Sequence, residues 1–150
     1  MNKEETIKIN RRWQKFQEHL GYTDDELAIH QSNPKHSKAM ESASKFSTQN
    51  IFVEVIEAHN CGAGYQVGDR FVVDGEGNLV LEECPAKLCV SAIAGLKTLM
   101  DRMWQAFYNN STDVLHDTVR CPDVGVHRGG WGEITMRVHA MSKDEAAKIK

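Results

Sequence analysis

The sequence predicts an α+β protein: a small antiparallel sheet with one long packed helix, preceded by a helical N-terminal arm. Three observations predict it. Apolar residues in the first fifty positions recur at helical spacing, and from residue 50 they change to apolar runs and strict alternation. A third region, from about Pro85 to Tyr108, carries the longest helical stripe in the chain. Runs of helix followed by strands and a single long helix make an α+β layer arrangement. The expected boundary separates a helical extension, 1–49, from a cysteine-containing domain, 50–150.

In the arm, Ile9, Trp13, Phe16 and Leu20 are spaced four, three and four residues apart, and Gly21 supplies a stop. Thr23 precedes three acidic residues, the pattern of a capped helix start whose acids suit the positive end of the helix dipole. Asn33 followed by Pro34 repeats the start signal. The apolar stripes are narrow, so these helices are expected to pack on the rest of the chain, on a larger protein partner or on themselves.

The run "IFVEVIEA" is rich in β-branched residues and reads as a largely buried strand. "DRFVVDGEGNLVLEE" reads as a hairpin around the turn Asp74-Gly75-Glu76-Gly77-Asn78. The long helix follows, with a stripe of Cys89, Ile93, Leu96, Met100, Met103 and Phe107. "NNSTDVLHDTVRCPDVGVHRGGWG" reads as a long polar connection, with Trp131 as a possible anchor of a mobile segment or simply part of a connector. "EITMRVHAM" alternates Ile134, Met136, Val138 and Ala140 against polar neighbours, as a half-solvated antiparallel strand does. Ser142 and Glu145 have capping-box spacing for a short terminal helix.

Composition narrows the function classes. With 41% hydrophobic and 26% charged residues the chain should fold, and 150 residues can bury a core without staples. A net charge of −3 offers no source for phosphate binding, so no nucleic-acid partner is expected. No apolar run approaches the ~20 residues of a membrane span, and the charged start does not resemble a signal peptide. The expected location is the cytoplasm, where thiols stay reduced and the four cysteines act as ligands, nucleophiles or packing groups.

Two cysteines stand directly before prolines, Cys84 in "EECPAKLC" and Cys121 in "RCPDVG". If the long helix begins at Pro85, Cys84 sits at its N-terminus, where the dipole and free N–H groups favour a thiolate. That makes Cys84 the candidate nucleophile. Proline beside Cys121 also recurs at the ends of iron–sulfur ligand runs, though "CPDVG" is equally good turn chemistry. Cys61 lies in "HNCGAG", two residues from His59. Cys89 opens the apolar stripe and reads as core. Cys61, Cys84 and Cys121, with His59 or His127 as a fourth group, have no C-x2-C spacing. They do all fall at turns or element ends, where a zinc ion or an iron–sulfur cluster is held.

Residues 51–140 resemble a family of small, functionally uncharacterised bacterial and archaeal proteins. The resemblance rests on "CGAGYQVGDRF", "ECPAKLC" and "RCPD" followed by "GEITMRVHA". It implies that Cys61, Cys84 and Cys121 are the shared cysteines, and it implies no reaction. The leading expectation is a metal- or iron–sulfur-binding redox or accessory protein using these three cysteines. The alternatives are an enzyme with Cys84 as a low-pKa thiolate, with Cys121 or Cys61 assisting, and a non-catalytic binding subunit whose cysteines only pack.

Overall fold

The computed structural model describes residues 2–148. It is an α+β chain that divides into two compact units, one ending at Ser44 and the other starting at Lys45. No helix among the described residues is long and apolar enough to cross a membrane.

The first unit holds α1 (Lys3–Leu20), α2 (Asp24–Ser32) and most of α3 (Pro34–Ser47). Their ends follow the sequence signals. Gly21 takes a left-handed φ of 71° and donates its N–H to the Gln17 carbonyl, which closes α1. Thr23 and Glu26 form a reciprocal capping box at the start of α2. Trp13 is the one buried apolar side chain among the described residues of this unit, set edge-on against Phe16. The Arg12 guanidinium donates to the Met40 and Glu41 carbonyls and so ties α1 to α3.

The second unit is built on a four-stranded antiparallel sheet. Its strands are β1 (Gln49–His59), β2 (Arg70–Asp74), β3 (Thr118–Arg120) and β4 (Glu133–Ser142), in the order β2-β1-β4-β3. The helix α4 (Val90–Tyr108) packs on one face. Ile51, Val53, Val55, Phe71, Val73, Ile134, Met136 and Val138 point toward its Leu96, Leu99, Met100, Met103 and Phe107. Burying each such side chain contributes about 1.5–3 kcal/mol. On the opposite face Phe52 and Val72 meet Ala146 of α5 (Lys143–Ala147), a helix opened by the expected Ser142–Glu145 capping box.

Four expectations need correction. The domain boundary lies five residues before the expected one, because Phe46 in the last turn of α3 packs on Phe107 and its carbonyl crowds Gly75. The second arm of the hairpin is a single bridge, Val73 to Leu79, that runs into a 3-10 turn at Leu81–Glu83. The polar connection after α4 contains β3, three residues that gain partners only because β4 lies beside them.

The fourth correction matters most for the cysteines. The long helix starts at Val90, not Pro85. The Tyr65 hydroxyl, reaching across from the loop before β2, donates to the Lys87 carbonyl (2.7 Å) and accepts the Cys89 N–H (2.8 Å). Those backbone groups are held by a distant side chain instead of a helical turn, so residues 84–89 stay irregular.

Candidate functional site

Cys84 is not at a helix N-terminus. It ends the 3-10 turn, and its Sγ lies on the outer edge of β2, accepting the Val72 N–H (3.4 Å) and facing the Val72 carbonyl (3.6 Å). That carbonyl already accepts the Val80 N–H (2.9 Å), so residues 72 and 80 form half of a ladder pair. The thiol takes the Val72 N–H that a carbonyl would have taken had the hairpin continued. Burial pushes the Cys84 thiol above its ordinary value of 9.0. The Val72 N–H opposes that shift, and the Glu83 and Glu82 carboxylates add to it. The structure therefore removes the premise of a low-pKa thiolate at this position.

Cys121 repeats the arrangement at the other edge. Its N–H donates to the Ile134 carbonyl (3.0 Å), while the Ile134 N–H returns to the Cys121 Sγ (3.4 Å). Here too sulfur stands in for a main-chain acceptor where a ladder ends, and Pro122, with no amide hydrogen, cannot extend the pairing. Both Cys-Pro pairs thus close an edge of the sheet.

These placements separate the two thiols. Cys84 lies outside β2 and Cys121 continues β3, the two outermost strands of the sheet. Three strand spacings amount to about 14 Å. Val72 is level with Phe52 and Ile134 with Ala58, which adds about 20 Å along the strands. Sulfurs that share one zinc ion lie within about 4.6 Å of each other, twice the Zn–S bond length. Cys61, Cys84, Cys121 and His59 are therefore not brought together as one ligand set, and they do not fit the zinc or cluster site expected of them. Among the described residues, no three His, Cys, Asp or Glu side chains are grouped to hold a metal ion.

His59 closes β1 opposite Glu133, with its Nε2 3.1 Å from the Asn60 side-chain nitrogen. His127 lies in a separate 3-10 turn, Val126–Arg128. Cys61 follows β1, where its carbonyl accepts the Gly64 N–H (2.9 Å) and its half-buried side chain packs on the core.

The grouping that does form was not sought in the sequence. Cys89, read there as core, is the N-cap residue of α4; its side chain makes no capping bond and is only half-buried against the core. Tyr65 lies beside both Cys89 and Cys61. Burial pushes its hydroxyl above the ordinary 10.0, the Cys89 N–H opposes that, and charge on Cys89, Cys61 or Asp69 adds to it. A tyrosine inside "GAGYQVG" was the only signal, and nothing in its neighbours reveals that it reaches the start of a helix 24 residues away.

The loop between Cys121 and β4 is well tied. Asp123 accepts the N–H groups of Gly125 (2.8 Å) and Trp131 (3.1 Å), and Gly130 donates to the Gly125 carbonyl. The Trp131 side chain is 86% exposed, so it anchors nothing in this fold.

No family model, curated protein or solved structure matches the chain.

Proposed function

We propose that the four cysteines are structural and that the protein works as a non-catalytic binding module, with its three-helix unit as the docking element. The carrying observation is the matched role of Cys84 and Cys121, whose sulfurs accept a strand N–H at opposite edges of one sheet. The helical unit supports the second half of the reading. Ile7, Leu20 and Ile29 are exposed at 59%, 48% and 68%, and a unit of this size rarely buries enough surface to be stable alone. A larger protein that covers these residues would complete its core.

Native alkylation with mass readout tests this, run beside metal and sulfide analysis on anaerobically purified protein. All four cysteines should label slowly in the folded chain and fast in denaturant, with no sulfide and no metal whose binding depends on a cysteine. One fast cysteine, above all Cys89, would shift the reading to thiol chemistry. One equivalent of metal lost in both Cys84→Ser and Cys121→Ser would overturn the geometry itself.

A further inference from the structure

His30 and His36 lie in the helical unit, six residues apart across the connection between α2 and α3. Their Nδ1 atoms approach to 2.9 Å while the ring centroids stay 4.8 Å apart at an angle of 33°. Since the nitrogens are closer than the ring centres, the two rings present their Nδ1 edges to each other. Two imidazoles on adjacent positions of one metal, with metal–nitrogen bonds of about 2.0–2.1 Å at a right angle, place their nitrogens about 2.8–3.0 Å apart. From this geometry we propose that His30 and His36 form a two-imidazole chelate for a divalent transition metal of the Ni²⁺ or Cu²⁺ type. Those ions favour imidazole nitrogen and tetragonal geometry.

The site is held in place before any ion arrives. The His30 ring stacks on Tyr22 (4.9 Å between centroids, 25°) and meets Phe16 edge-on (5.9 Å). The α2–α3 connection is fixed by the Asn33 side chain, which accepts the Lys35 N–H (3.0 Å), and by the Ser37 hydroxyl donating to the Gln31 carbonyl. His30 is half-buried and His36 exposed, so an ion reaches the pair from solvent. Without metal, one Nδ1–H donates to the other Nδ1. Ligation moves that proton to Nε2 of the same ring and frees both Nδ1 lone pairs, with no net proton lost from the neutral pair. Water fills the remaining positions.

The test uses the full chain without an affinity tag, titrated with Ni²⁺ by calorimetry and followed by near-ultraviolet absorption. One equivalent should bind with no thiolate-to-nickel charge-transfer band. His30→Gln and His36→Gln should each weaken it at least about tenfold, the smaller effect seen on losing even a ligand's hydrogen-bond partner. His116→Gln, at an exposed position in the other unit, should leave it unchanged. His36→Gln keeps the Tyr22–His30 stack, so it reports on binding even if His30→Gln lowers helicity. No binding by the native chain, a charge-transfer band, or equal binding by His36→Gln would overturn the proposal. It does not depend on the structural reading of the cysteines.

Discussion

At the scale of single residues, Cys84 couples the fold to alkaline pH. Its thiol is raised above 9.0 chiefly by burial, and the Tyr65 hydroxyl is raised above 10.0 for the same first reason. In both cases the unfolded chain releases the proton first as pH rises, so the folded state binds more protons. The stability they contribute is fully present below about pH 9 and is lost as pH climbs through the raised values. Urea melts taken between about pH 7 and 10.5 should show a level midpoint followed by a decline, and Cys84→Ala should remove part of that decline. A midpoint that holds level to the alkaline end would contradict the burial argument. On the acid side, burial of Asp74 raises its carboxyl. Hydrogen bonds from Asn78, Glu76 and Gly77 outweigh that and hold it below 3.8, so its contribution is present above that value and fades on acidification.

At the scale of elements, the start of α4 is the decisive local event. A proline after a hairpin is a good helix starter, and sequence reasoning places the N-terminus at Pro85. Tyr65 instead claims the Lys87 carbonyl and the Cys89 N–H, so the first turn forms five residues later with Cys89 as its cap. Because the Cys89 side chain makes no capping bond, a hydroxyl there should add one. Cys89→Ser should therefore be more stable than Cys89→Ala by about 0.5–2 kcal/mol in denaturant melts. Equal stabilities would mean that the first-turn N–H groups are satisfied in some other way. The buried face of α4 is also wider than the stripe. Ala92, Leu99 and Ala106 are buried beside it, whereas Cys89 and Ile93 at its start are only half-buried.

At the scale of the whole molecule, burial is divided unevenly. Trp13 and Ser42 are the buried residues of the first unit among those described, while the sheet unit buries three strands and most of one face of α4. Local stability follows buried apolar contact, so the helices of the first unit should exchange their amides faster than β1 and β4. Trp13→Ala should remove about 3–5 kcal/mol from the helical unit. Hydrogen exchange would then show lost protection across residues 3–44, with β1 and β4 still protected. Equal loss in the strands would make the chain one cooperative unit.

What the sequence determined by itself is local: the caps at Gly21, Thr23 and Ser142, the alternation of β4, and the helical period of α4 all act within a few residues. The α+β class follows from these, because periodicity assigns each segment its layer. Contacts between distant segments were decided only by the tertiary structure. Tyr65 set where α4 begins, β4 made a strand of Thr118–Arg120, and the two sheet edges received Cys84 and Cys121. Spacing along the chain carries no information about which edge a turn reaches, and so Cys84 and Cys121, which looked convergent in sequence, lie at opposite edges of the sheet.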